Sequence, residues 1–517
     1  MSHADAVRLI DRPTQRPYAL HPRSGNTMAG KQISRLDLAR FLLSPSLFVM
    51  IVLMVVEAML AATTTWFVIN AGQKVAVGHF LAGDLIWILT AQSASYVVGV
   101  ISWVFAERAG YRGFGKFMLR FARENRGKVK LLGDKPSREQ VEPFLTGETF
   151  QCFFNVMYEL EFALKLFLGL VFNSIVLGAE IDISLPFAYV GAFGVLLLMQ
   201  WVLQKPIART YLENQRMNNR VTAQGYTAWD NVFSGNSYNL RLWLAGFKTR
   251  LRDGVTAQIR AIVAREGMSA MSGIVSLAIV FATVTVVAVQ NVGNTALLVG
   301  LATTLPRQIE MTYELHLLAS GWNDFIAIWT RFGGVAANML PEPDPDFDER
   351  IKFDRLVLRE GDGANVVSSV GDALQIALAH PTGRINVRGG NGSGKSSLLA
   401  SLKTEMKKRA YYWPTTDRLA FKFTGGVVPV DVEGDDEDED EVVVVADAMH
   451  KKLGYSSGEL QLKSLEEIVN ETRAQVYLLD EWDANLDAAN KAKADALVDE
   501  LASRARVVEI SHRDRPA

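Results

Sequence analysis

Stretches at 45–69, 80–105, 156–178, 185–204, 268–290 and 294–317 are apolar over lengths that match a hydrocarbon core, which makes about six crossings. Backbone polar groups in lipid must be paired within their own segment, so each stretch is expected as a helix. The connections alternate in character. Segments 70–79, 179–184 and 291–293 are short and almost free of basic residues, whereas 106–155 and 205–266 each hold about ten Lys and Arg. The leader is basic too, with Arg8, Arg12, Arg16, Arg23, Lys31, Arg35 and Arg40. Positive charge concentrates on the cytoplasmic side, so both chain ends are expected there.

With 49% hydrophobic residues, the 517-residue chain still carries a charged C-terminal part, so two regions of different solvent preference are implied. Its net charge of −2 removes any whole-chain electrostatic argument for nucleic acid. Cys152 is the only cysteine, which leaves no disulfide framework within the chain and no cysteine metal site. The few scattered histidines argue against zinc. Before the first apolar run there is no short apolar core followed by a small-residue cleavage site. An uncleaved leader, disordered to about residue 30, is expected.

Charges inside the apolar stretches are costly in lipid and need a partner or an aqueous cavity. Arg307, Glu310 and Glu314 share one helical face beside Pro306, and Glu57 lies midway along the first stretch. Glu159, Glu161 and Lys165 open the third, with Glu161 and Lys165 at pairing distance along a helix. One reading is a translocation cavity biased toward cationic or zwitterionic cargo, or a carboxylate that takes up protons. The other is pairing between helices, such as Glu310 with Arg307.

The tail carries chemistry. Gly389, Gly390, Asn391, Gly392, Ser393, Gly394, Lys395 and Ser396 match G-x-x-x-x-G-K-[ST], with Ser397 following. Glycines let successive N–H groups turn inward on phosphates, Lys395 reaches the terminal phosphates and Ser396 ligates Mg²⁺. Gln475 to Asp480 is an apolar run ending in carboxylates, the pattern of a buried parallel strand; Asp480 would hold Mg²⁺ through water and Glu481 would polarise the attacking water. Tyr455-Ser456-Ser457-Gly458-Glu459 lies between these motifs, and Ala484-Asn485-Leu486-Asp487 and Ile510-Ser511-His512-Arg513 follow.

In this order the motifs resemble the Walker A, signature, Walker B, D-loop and switch histidine of an ATP-binding cassette (ABC) ATPase. Behind about six spans with two long basic loops, they resemble an ABC exporter half-transporter. The resemblance implies a membrane all-α six-helix transmembrane domain of ABC exporter type, followed by an α/β P-loop NTPase cassette. The expected divisions are a leader at 1–40, the membrane domain at 41–335, a linker at 336–349 containing Pro341, Pro343 and Pro345, and a compact cassette at 350–517. It further implies that two cassettes sandwich ATP. Ser456, Gly458 and Glu459 would then meet the nucleotide of the partner, His512 would bond its γ-phosphate and Asp487 would couple the two sites. A serine-glycine pair before a helix is equally a cap, and a lone histidine equally a surface residue. Short coupling helices are expected near Pro136 to Phe144 and Val232 to Arg241.

The chain departs from that pattern in places. With Ile351 to Leu356 taken as the first strand, Arg359 and Glu360 stand where an adenine-stacking ring is usual. Thr415 replaces the usual glutamine, Tyr455 a leucine and Trp482 a proline. The acidic run 435–441 reads as a solvated loop, or as a regulatory or divalent-ion site, with Val442 to Val445 as an edge strand behind it.

The expectation is an ATP-driven, Mg²⁺-dependent exporter in a bacterial inner membrane. It would work as a homodimer or with a paralogous half-transporter and move a peptide, lipid or amphipathic substrate, without nucleic acid. A nucleotide-gated or regulatory membrane protein is the rival, and an importer is a third option.

Overall fold

The computed structural model describes residues 33–79, 82–415, 419–424, 455–484 and 486–511. Most of them are helical. In chain order the helical half contains α1 (Arg35–Ala39), α2 (Pro45–Ala76), α3 (Ala82–Asn125), α4 (Lys135–Pro143), α5 (Thr149–Glu180), α6 (Ser184–Tyr226), α7 (Ala228–Phe233), α8 (Ser237–Gln290) and α9 (Thr295–Asn338). Local chemistry sets the starts. Pro45 occupies the first turn of α2, where its missing N–H costs nothing, and the Ser44 hydroxyl caps the Leu47 amide. Asn294 caps Leu297 in the same way at the start of α9.

Among the described residues, five helices, α2, α3, α5, α6 and α8, are long and apolar enough to cross a membrane. The sixth expected stretch, 294–317, lies in α9, which is 44 residues long but is not among those five. Arg307, Gln308, Glu310, Glu314 and His316 all fall in it or beside it and lower its hydropathy. Helix α8 runs for 54 residues, about 80 Å, and so extends far beyond any hydrocarbon core.

Near the first expected loop tip a short helix is present, α4, followed by a wide-turn segment Phe144–Glu148. The second lies earlier than the sequence suggested. Helix α7 ends at Phe233, and Val232 to Arg241 instead spans the turn at Gly235, whose φ of +71° ends helical geometry, and the first residues of α8.

The other half is a small mixed sheet. Its strands are β1 (Leu356–Glu360), β2 (Gly363–Val366), β3 (Gly383–Gly389), β4 (Ala410–Trp413), β5 (Val476–Asp480) and β6 (Arg506–Ile510), in the order β2-β1-β3-β6-β5-β4. β3, β6, β5 and β4 run parallel, and β1 and β2 join antiparallel at the edge. Four helices cover it: α10 (Val370–Leu378), α11 (Lys395–Met406), α12 (Ser457–Glu471) and α13 (Ala488–Arg504). Ile385, Leu398, Leu402 and Leu478 belong to one apolar core, and Ile468, Leu479, Val498 and Val507 to a second. The first strand is not at Ile351 to Leu356. A turn at Phe353–Arg355 precedes it, and Arg359 and Glu360 lie within β1. Glu360 is committed to packing, because it takes two 2.6 Å hydrogen bonds from the buried Arg506 guanidinium.

The two halves meet through charge. A tight turn at Val129–Gly133, after α3, packs on α11. Lys130 pairs with Asp348 at 2.7 Å, and Asp348 also accepts the Ser401 hydroxyl of α11 at 2.6 Å. Arg350 bridges Asp134 and Asp344 at 3.2 and 3.1 Å, while Lys128 reaches Glu342 and the Pro341 carbonyl. The Pro-rich segment predicted as a linker is thus held at several points.

Candidate functional site

β3 delivers the chain to Gly389, a glycine loop follows, and α11 starts at Lys395. Two close approaches dictate the glycines. A Cβ on Gly389 would sit 2.6 Å from the Ser393 hydroxyl and 2.7 Å from the Arg355 carbonyl. Gly394 has φ +88°, and a Cβ there would lie 2.5 Å from the Arg350 carbonyl. Gly392 also has positive φ, and Asn391 is exposed at the loop tip. The Lys395 ammonium donates to the Gly389 and Gly390 carbonyls at 2.9 and 3.4 Å, which holds it across the loop mouth. Ser393 is buried, and its carbonyl accepts the Lys352 amide at 3.0 Å.

β5 is buried along its whole length between β4 and β6 and brings Asp480 to this loop, where the Ser396 hydroxyl donates to it at 3.0 Å. The Tyr412 phenol approaches its second oxygen at 3.5 Å, and the Thr415 hydroxyl donates to the Asp480 carbonyl at 3.3 Å. Asp480 has its carboxyl pushed up to about 6. Burial is the largest cause; the Ser396 hydrogen bond opposes it and the Glu481 charge adds to it. Glu481 follows with φ +50°, a conformation unusual for a residue with a Cβ.

The sign of the Asp480 shift yields a pH prediction. The folded chain takes up a proton near pH 6, whereas an ordinary Asp does so at 3.8. Acidification from about pH 7 to pH 5 should therefore stabilise the nucleotide-free protein through this group while removing charge from the carboxylate beside Ser396. Mg²⁺-dependent nucleotide binding, measured with a fluorescent ATP analogue, should fall with a midpoint of about 6. A flat profile across that range rejects the assignment.

Ser456, Gly458, Glu459 and Asp487 lie at the starts of other helices. The Ser456 hydroxyl caps the Glu459 amide at 3.3 Å, and the Glu459 carboxylate returns to the Ser456 N–H at 2.8 Å, a reciprocal capping box for α12. These bonds hold the Glu459 carboxyl below its usual range, the Ser456 N–H being the largest cause. Asp487 caps α13 through the Asn490 amide at 2.8 Å. The predicted residues therefore form two groups. Within 389–397 it is Ser396 that meets Asp480, with Glu481 next in the chain, while Ser456, Glu459 and Asp487 bond within their own helix starts and Gly458 is buried in the first turn of α12. His512 and the run 435–441 lie outside the described residues.

Among the described residues, no cluster of three or more His, Cys, Asp or Glu side chains could hold a metal by itself. The Ser396 hydroxyl beside the Asp480 carboxylate is nonetheless a hard-oxygen pair that suits Mg²⁺, an ion usually completed by water and phosphate oxygens.

In the helical half several of these charges are paired. Lys165 reaches across to Glu57 at 2.6 Å, linking α5 to α2, in place of the expected pairing with Glu161. Glu57 and Glu161 are both buried, and Lys165 bonds the one that lies across the helix interface. Arg307 takes Glu310 at 2.6 Å and Glu314 at 3.2 Å, and Glu314 lies against Gly169, one turn along α5 from Lys165.

The sequence reading missed the contacts of Tyr412 and Gln461. Tyr412 lies beside Leu478 in the parallel register of β4 and β5, so a polar aromatic next to a strand ending in acids was the available signal. Gln461, on α12, donates to the carbonyls of Trp482 and Glu481 at 2.6 and 3.3 Å; nothing local announces that contact. In comparisons with known proteins, no family model matches this chain and no curated protein sequence matches it.

Proposed function

We propose that this protein is an ATP-driven membrane exporter, an ABC-type half-transporter working as a homodimer or with a paralogous partner. The observation that carries the reading is the meeting of Lys395, Ser396 and Asp480 at the mouth of a glycine loop, with Glu481 next in the chain. In this reading α9 supplies a sixth crossing, its charges compensated by pairing, and the sheet half is the nucleotide-binding cassette on the cytoplasmic side of a bacterial inner membrane. The basic loops support that orientation.

The loop amides and Lys395 would bind the phosphates of ATP, and Ser396 and Asp480 would hold Mg²⁺. When bound, the ion neutralises phosphate charge. Glu481 would accept a proton from the attacking water, and burial of Asp480 keeps bulk solvent from the ion's ligand. Ser456 and Asp487, bonded within their own helix starts, would complete a second copy's site together with Gly458. Cargo remains within the class of peptide, lipid or amphipathic molecule.

A nucleotide-gated membrane protein with little turnover is the second reading. Thr415, in the glutamine's expected place, spends its hydroxyl on the Asp480 carbonyl, and Glu360 is occupied by Arg506. ATPase activity of the full chain in lipid separates the two. Wild type should hydrolyse ATP at least about a hundredfold faster than Glu481→Gln, which should still bind it. Equal, slow rates would reject the exporter and favour the gate.

A further inference from the structure

The turn that carries Glu481 is held from several directions, by the ends of neighbouring motifs and by residues outside them. Its N–H donates to the Ile510 carbonyl of β6 at 3.0 Å, and its carbonyl accepts the Ala484 N–H at 3.2 Å, closing a tight turn. The Gln461 amide, from α12, donates to the Trp482 carbonyl at 2.6 Å and to the Glu481 carbonyl at 3.3 Å. The Trp482 ring is 3% exposed, and its indole N–H donates to Glu509 at 2.8 Å. Glu509 is itself fixed by the Arg384 guanidinium, which donates to both its oxygens at 2.8 Å. Asp483, also buried, pairs with Lys491 of α13 at 2.8 Å.

This amount of fixing has a physical reason. A left-handed φ at a residue with a side chain persists only where surrounding contacts impose it. Flipping the 481–482 backbone to an ordinary conformation would swing the Glu481 carboxylate away from its position beside Asp480. We infer that Trp482 and Gln461 are positioning residues for Glu481, with Glu509 and Arg384 as the anchor of Trp482. Gln461 is on the same helix that Ser456 caps, so the position of α12 is passed to the Glu481 backbone. The inference rests on the ATPase reading above and specifies which residues keep its general base aimed.

The test uses the full chain in lipid bilayers, with kcat and KM for MgATP and the affinity for a fluorescent ATP analogue. Trp482→Phe keeps an aromatic ring but loses the indole donor together with some packing volume, and Gln461→Met, which keeps length and removes only the amide, is the cleaner variant. Each should lower kcat about 5- to 10-fold, the worth of one or two hydrogen bonds, with KM and analogue affinity within about twofold of wild type. Combined with Glu481→Gln, neither should cause further loss, because each acts through that carboxylate. Unchanged kcat, a matching rise in KM, or additive loss in the Glu481→Gln background would overturn the inference. Failure of the ATPase reading is distinguishable, since it shows as a wild type no faster than Glu481→Gln.

Discussion

Gly394→Ala is expected to eliminate detectable nucleotide binding, a loss on the order of a hundredfold or more in affinity. The added methyl would meet the Arg350 carbonyl at 2.5 Å and the Ile351 Cα at 2.7 Å, both backbone atoms with no rotamer to give. The φ of +88° adds its own strain. Arg350 cannot retreat freely, because its guanidinium is tied to Asp134, Asp344 and the Gly133 carbonyl. The glycine loop must therefore move, and its inward-turned amides move with it. Titration with a fluorescent ATP analogue checks this, with Gly390→Ala as the contrast. A Cβ at Gly390 meets nothing within 4 Å. Near-equal affinities for the two variants would reject the steric argument.

Arg384→Met should destabilise the sheet half by about 3–5 kcal/mol. Arg384 is 12% exposed in its side chain and joins Glu509, Asp495 and Asp499 at 2.7 to 3.0 Å. Burial disfavours its charge, but the carboxylates, Glu509 foremost, outweigh that and raise its pKa. Its removal leaves Glu509, at 4%, charged and buried without its cation. Arg40→Met, whose side chain is 73% exposed in a surface pair with Asp37, should cost less than about 1 kcal/mol. Chemical unfolding followed by tryptophan fluorescence measures both. A cost below about 1 kcal/mol for Arg384→Met would show that the cluster relaxes into water.

What the sequence made legible follows from how each signal is encoded. The apolar stretches and the loop at 389–396 are written contiguously, so helices and glycine turn follow from the local chain alone. The same holds for β5, whose unbroken apolar run foretold burial on both faces. Partners distant in sequence are another matter. Lys165 bonds Glu57 on another helix, and Arg506 bonds Glu360 on another strand, because tertiary packing decides which carboxylate comes within reach. Strand β1 begins several residues later than pattern suggested, since Ile351 and Phe353 alternate with polar residues as a strand would, although Phe353–Arg355 forms a turn. Gln461 was invisible for a related reason: an amide on a helix has no signature until its acceptor is near.

The pinned segment between α9 and β1 has a mechanical consequence. A proline-rich tether left free would let the sheet half wander over a radius set by chain statistics. Pinned through Lys130, Asp134 and Arg350, it transmits torque instead. Helix α3 leads through its tight turn to Asp348, which holds Ser401 on α11, the helix that starts at Lys395. The stiffness of that joint, more than the length of the connecting chain, would then set how far a movement of the sheet half reaches the apolar helices.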